Sequence, residues 1–235
     1  MKTLKIGSVE LPNPVILAPM AGVSDLPFRM LCREQGAGLV CMEMVSAKAI
    51  AYHNRNTEKL METDEREHPV SLQLFGSEPD LMAEIAAQIE ERPFDILDIN
   101  MGCPVPKIVG NGEGSALMKN PKLIEEIITK VSRAVKKPLT VKFRKGFDDD
   151  HVNAVEIARI AEASGAAAVA EAKSTAMPAL PSLSITWSSH SNVNAPSTGS
   201  ILSQLKIASD TTFTPASPMR RISSSSVSSG HWSGL

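Results

Sequence analysis

From residue 15 to residue 170, short apolar runs alternate with stretches of helical periodicity, and this alternation constrains the fold more than any other feature. Val15-Ile16-Leu17-Ala18 follows two prolines and reads as a buried strand. Ser24-Asp25-Leu26-Pro27 opens a helix, with Ser24 or Asp25 as cap and Pro27 in the first turn, and Gly36 closes it. Leu39 to Val45 and Val70 to Leu74 are the next strands. A helix then starts at Glu78-Pro79-Asp80, with Leu81, Ile85 and Ile89 at intervals of four. Ile96 to Asn100 is a strand. Asn120-Pro121 begins a helix with Leu123, Ile124, Ile127, Ile128 and Val131 on one face. Pro138 to Phe143 is a strand, Val152 to Ala163 a helix closed by Gly165, and Ala166 to Ala170 starts one more strand. Repeated strand-helix units mean parallel pairing with right-handed crossovers. Near-continuous apolar strands are those of a sheet covered on both faces. The repeat leaves an open doubly wound sheet and a closed barrel equally available. No G-x-G-x-x-G follows the first strand, which counts against a dinucleotide-binding open sheet.

The pattern stops near Ala170, and composition changes there. Residues 1–170 hold 24 of the 26 acidic residues, whereas residues 171–235 hold two acidic residues and 18 serines. Five prolines from Pro178 to Pro218 lie among Ser and Thr without a sustained period. Such a segment buries too little apolar surface to offset chain entropy, so disorder is expected from 171 to 235. The switch falls inside a strand, which points to out-of-frame translation from about codon 171.

Charge and cysteine usage narrow the classes further. A net charge of −2 gives no electrostatic signature of a nucleic-acid domain. Three irregularly spaced cysteines suggest neither a disulfide framework nor a zinc site, and fit reduced thiols in a cytoplasmic protein. No run reaches the roughly 18 apolar residues of a membrane helix, and Met1 to Gly7 lacks a signal-peptide core. No metal site is expected.

Parallel α/β folds place their chemistry at the carboxyl ends of the strands. After the first strand, Ala18-Pro19-Met20-Ala21-Gly22 offers small residues that let a flat ligand approach the backbone, or simply a tight turn. Gln73 is an amide in an apolar strand, suited to the edge of a heterocycle or to an ordinary polar position. Cys103, in the turn Asn100-Met101-Gly102-Cys103-Pro104, is a thiol at a strand end that can donate a proton or attack. Lys142 and Arg144 alternate with apolar residues on one strand face, where two cations call for an anionic partner or a solvated strand end. A phosphate, a flavin ring or RNA would serve. Glu43, Asp98 and Glu113 are secondary candidates, and Cys32 and Cys41 fit small buried hydrophobes. His53 and His68 read as surface residues, and Asp148-Asp149-Asp150 as a solvated loop.

Taken in order, Ala18-Pro19-Met20-Ala21-Gly22-Val23-Ser24-Asp25, Phe28-Arg29, Glu43-Met44, Gln73-Leu74, Asp98 through Pro104, Gly114-Ser115-Ala116-Leu117 and Val141 through Gly146 resemble the tRNA-dihydrouridine synthase family, nearest its bacterial B-type branch. The resemblance covers about 170 residues. It implies an α/β fold of the (β/α)8 TIM-barrel type, here incomplete at five to six βα units. It also implies an FMN enzyme that reduces uridine in tRNA to 5,6-dihydrouridine, with NADPH as reductant. Matched by position, Pro19, Met20 and Ala21 would line the flavin, and Gln73 and Lys142 would hydrogen-bond its ring. Asn100 and Arg144 would lie near flavin or base, and Cys103 would be the general acid, protonating C5 after hydride reaches C6. The base would leave its stack to reach the flavin.

The family pattern continues past residue 170 with strand ends that hold the FMN phosphate, and none is present in residues 171–235. The expected consequence is an open core, weak or absent FMN binding and impaired turnover. Two alternatives accompany this reading: a catalytically inactive fragment, or an FMN barrel oxidoreductase acting on a small pyrimidine.

Overall fold

A computed structural model describes residues 4–172 and, by backbone, 185–189. Strands β1 (Leu4–Ile6) and β2 (Val9–Leu11) form an antiparallel hairpin. Gly7 takes φ +57° in the turn, and a Cβ there would sit 2.8 Å from the Pro138 ring. The hairpin therefore lies against the amino-terminal end of the main sheet. It went unread in the sequence because its two strands have three residues each and show no period.

The main sheet is built from β3 (Ile16–Leu17), β4 (Leu39–Ser46), β5 (Val70–Phe75), β6 (Ile96–Met101), β7 (Leu139–Arg144), β8 (Ala168–Ala172) and β9 (Ile185–Ser189). Between them run α1 (Leu26–Glu34), α2 (Ala47–Ala51), α3 (Arg55–Leu60), α4 (Pro79–Ile89), α5 (Pro106–Gly110), α6 (Pro121–Ala134) and α7 (Ala154–Ala163). Strands β3 to β8 are parallel and lie side by side in chain order. This order settles the choice left open above. A doubly wound sheet reverses its strand order at a switch point, whereas a barrel adds each strand beside the last.

Two apolar clusters show the curl. Outward-facing residues such as Leu72, Ile99, Val141 and Phe143 pack with Ile85 and Ile89 of α4 and with Ile124, Ile128 and Val131 of α6. Inward-facing Leu39 and Cys41 of β4, Ile96 of β6 and Ala168 of β8 cluster instead with Ile6 and Leu11 of the hairpin. Residues from alternate strands meet on one side only if that side is concave, as in the layered interior of a barrel. The architecture is thus an incomplete TIM barrel of six parallel strands, closed at its base by the β1-β2 hairpin.

Local sequence explains the elements. Asp25 rather than Ser24 caps α1, its Oδ1 accepting from the Phe28 N–H at 3.0 Å. Asn120 caps α6 in the same way, accepting from the Leu123 N–H at 3.2 Å, and Pro121 occupies the first turn. The α6 stripe buries Ile124, Ile127, Ile128 and Val131 completely, while Leu123 packs only at its margin.

Strand β8 continues through Glu171 and Ala172, and β9 pairs with it antiparallel, from Ala168 opposite Ser189 to Ala172 opposite Ile185. An edge strand presents a row of unpaired backbone groups, and any extended segment can satisfy them. The rest of the segment expected to be disordered lies outside the described residues.

Candidate functional site

The concave face carries a column of polar side chains above the apolar base. Period-two alternation places Ser71 and Gln73 of β5, Asp98 and Asn100 of β6, and Thr140, Lys142 and Arg144 of β7 on that face, opposite their helix-packed neighbours. Register aligns them: Gln73 lies beside Asp98, Asp98 beside Thr140, and Asn100 beside Lys142.

Hydrogen bonds join this column into one network. Both Asp98 carboxylate oxygens accept at 2.6 Å, one from Gln73 Nε2 and the other from the Thr140 hydroxyl. Gln73 Oε1 accepts from Asn100 Nδ2 at 2.9 Å. Asn100 Oδ1 in turn accepts from the backbone N–H groups of Gly102 at 3.1 Å and Cys103 at 2.9 Å. Cys103 is half-buried at the carboxyl end of β6, and its carbonyl accepts from the Ser115 N–H at 2.9 Å. Gly114, at φ +60°, is required there, because a Cβ would fall 2.6 Å from the Cys103 carbonyl oxygen.

Burial governs the electrostatics. Asp98, 4% exposed, is held above the ordinary carboxylate range by desolvation, which its hydrogen bonds from Gln73 and Thr140 and the nearby Lys142 ammonium only partly oppose. Burial likewise lowers Lys142 below the usual lysine range, with Asp98 the main group favouring its charge. The Cys41 thiol, beneath this pair, is pushed far up by complete burial and by the Asp98 charge, so it acts as core.

The loop from β3 to α1 forms the adjoining rim. Pro19 and Met20 are half-buried and Ala21 is exposed. The Ser24 hydroxyl accepts from the Met20 N–H at 2.9 Å, and the Gly22 N–H donates to Glu43 Oε2 at 2.6 Å. Glu43 lies where the β4-β5 register shifts between Cys41 and Met44, a bulge of the kind that re-aims a side chain. Behind the loop, Arg29 is 1% exposed and bonds Glu67 through Nε at 2.7 Å and Nη2 at 3.2 Å. Its remaining N–H groups reach the Ser24 carbonyl at 3.0 Å and the Glu62 carbonyl at 2.7 Å.

The structure therefore brings Gln73, Asn100, Cys103 and Lys142 together, with Arg144 two residues further along the same strand face. Asp98, a secondary candidate in the sequence, joins the network by both carboxylate oxygens, between Gln73 and Thr140. Its period-two spacing from Asn100 within Ile96–Met101 was the available signal. Glu113 is buried at the end of the same β6 loop, its carboxyl raised by desolvation. His68, expected at the surface, is half-buried, with Nδ1 2.7 Å from Asp95 Oδ2. Its position just before β5 brings it against the β6 entry. Cys32 is half-buried and Cys41 buried. Among the described residues no group of three or more His, Cys, Asp or Glu could hold a metal ion, and no helix is long and apolar enough to cross a membrane.

The family model for dihydrouridine synthase matches residues 16–170. The chain is 44% identical over 170 residues to tRNA-dihydrouridine synthase B of Pseudomonas aeruginosa, covering 72% of this chain and 51% of that protein. It is 46% identical over 165 residues to a probable tRNA-dihydrouridine synthase of Rickettsia conorii, covering 69% and 49%. A probable tRNA-dihydrouridine synthase 1 of Synechocystis is 45% identical over 166 residues, covering 70% and 46%. The chain spans about half the length of the curated relatives it matches. The matched segment coincides with the six parallel strands and the polar column they carry, and the chain belongs to the dihydrouridine synthase family.

Proposed function

We propose that residues 1–170 carry the ring-recognition and proton-donor portion of a flavin-dependent enzyme that reduces uridine in tRNA to 5,6-dihydrouridine. The observation that supports this most is the Cys103 thiol, fixed at the strand end by Asn100 beside Gln73 and Lys142 on one concave face. The donor set fits an isoalloxazine edge. Gln73 uses one of its two amide N–H groups on Asp98, and Lys142 is a partly desolvated cation on the same face. Pro19, Met20 and Ala21 form a rim of small and apolar surface beside it, and Arg144 lies toward the mouth. FMN held there would supply hydride to C6 of the uracil ring and be recharged by NADPH. Lys142 would stabilise negative charge at the pyrimidine edge of the ring system. Asn100 would orient the Cys103 turn, and the Cys103 thiol would give its proton to C5, so that one hydride and one proton complete the product.

The test is a chimera in which residues 16–170 replace the matching segment of the Pseudomonas aeruginosa relative. The reading expects dihydrouridine in its tRNA and loss of product in the Cys103→Ala variant. A folded, flavin-loaded chimera whose reduced flavin is reoxidised by free uracil but not by tRNA would favour a small-pyrimidine oxidoreductase instead.

A second reading concerns the chain as it stands. Strand β9 pairs antiparallel with β8, where a barrel would add a seventh parallel strand. Phosphate sites of such barrels follow strands seven and eight. This favours weak flavin binding and impaired turnover in the 235-residue chain. Absorption after mixing with FMN and desalting checks it: a colourless protein is expected, and a retained flavin band would overturn it.

A further inference from the structure

The network on the concave face has a direction, fixed at one end by two backbone N–H groups and at the other by Asp98. The N–H groups of Gly102 and Cys103 can only donate, so Asn100 must turn its oxygen toward them and its nitrogen toward Gln73. Gln73 must then accept with its oxygen and donate with its nitrogen, and the group that receives that donation is Asp98 Oδ2. A carboxylate oxygen without a proton can only accept, so the amide orientation of Gln73 is dictated from both ends. Thr140 holds the other Asp98 oxygen at 2.6 Å and prevents the carboxylate from rotating away. Asp98, Gln73 and Asn100 are 4%, 1% and 7% exposed, so solvent offers no substitute partners.

We infer that Asp98 is a positioning residue that couples the Gln73 amide to the turn carrying Cys103. It fixes which face of the Gln73 amide is left to meet a ligand, and through Asn100 it holds the backbone that aims the thiol. The functional meaning of the coupling rests on the reading proposed above, in which Gln73 meets the cofactor and Cys103 supplies a proton. The coupling itself is a property of the chain alone.

Hydrogen exchange of the full chain tests it without cofactor or tRNA. In Asp98→Leu, of similar volume but without an acceptor, the Gln73 amide loses one of the two partners that fix it and is held by Asn100 alone. The Gly102 and Cys103 amides should then exchange about tenfold faster relative to the α7 amides, the factor expected for one weakened hydrogen bond. Asp98→Asn should restore protection, because its oxygen can accept from Gln73 while its nitrogen donates to Thr140. Gln73→Leu cuts the network at its middle and should give the same selective acceleration, which keeps the test decisive if Asp98→Leu does not fold. Unchanged rates at Gly102 and Cys103, uniform acceleration across the chain, or an Asp98→Asn variant as fast as Asp98→Leu would each overturn the inference. None of these outcomes bears on the chimera assay, so failure of the coupling and failure of the proposed activity are separately visible.

Discussion

Replacing Arg29 by alanine should destabilise the chain by about 3–5 kcal/mol, the range for removing one partner of a buried ion pair. Its side chain is 2% exposed and that of Glu67 is 0% exposed. The guanidinium donates to both Glu67 oxygens and to the Glu62 and Ser24 carbonyls, so truncation leaves a buried carboxylate whose remaining partner is the Asp64 N–H at 3.1 Å. Glu67→Leu strands the cation instead and should cost a similar amount. The double variant Arg29→Met/Glu67→Leu removes both charges and leaves two carbonyls without their donor and the Asp64 N–H without its acceptor, at about 1 kcal/mol each. Its expected cost is therefore ~3 kcal/mol, against a sum of ~6–10 kcal/mol for the singles. Urea unfolding followed by circular dichroism measures all three. A domain is worth only about 5–15 kcal/mol, so a single variant already unfolded sets a lower bound and the double variant decides. Singles that cost under ~1 kcal/mol, or a double variant as costly as their sum, would refute the pair as described.

Further outcomes are expected elsewhere. Asn120→Ala removes the α6 cap and should lower stability by about 1 kcal/mol in the same assay. Gly114→Ala forces a Cβ against the Cys103 carbonyl at a φ of +60°; it should cost about 1–3 kcal/mol and change the alkylation rate of Cys103, read by peptide mass spectrometry. Asp98 gives a pH dependence. Its carboxyl in the folded chain lies above the value near 4 of an unfolded chain, so the folded state keeps a proton that the unfolded state has lost. Stability should fall as pH rises from about 4 through that raised value, and Asp98→Asn should flatten this part of the curve.

Much of this was legible in the sequence because buried parallel strands and amphipathic helices have distinct periods. The Leu81, Ile85, Ile89 stripe and the Ile124 to Val131 stripe located α4 and α6 within a residue or two. Strand order was not legible, since parallel neighbours are chosen by crossover packing that leaves no local mark. The polar column was half visible: Gln73, Asn100, Cys103 and Lys142 stood out singly. Their convergence, and the anchoring of the network by Asp98 and Thr140, depends on registers between strands about 25 and 42 residues apart in the chain. The β1-β2 hairpin and β9 escaped for another reason. Three residues carry no period, and β9 forms on an edge that the preceding sheet creates.

Flavin titration of the full chain, followed by fluorescence and run in parallel with FMN and riboflavin, tests most directly whether the concave face recognises the ring system. Riboflavin lacks the phosphate. Recognition by Gln73, Lys142 and the Pro19 to Ala21 rim predicts weak, saturable binding of nearly equal strength for both ligands, lost in Gln73→Leu. A phosphate-dependent preference for FMN, or binding that survives Gln73→Leu, would contradict the assignment.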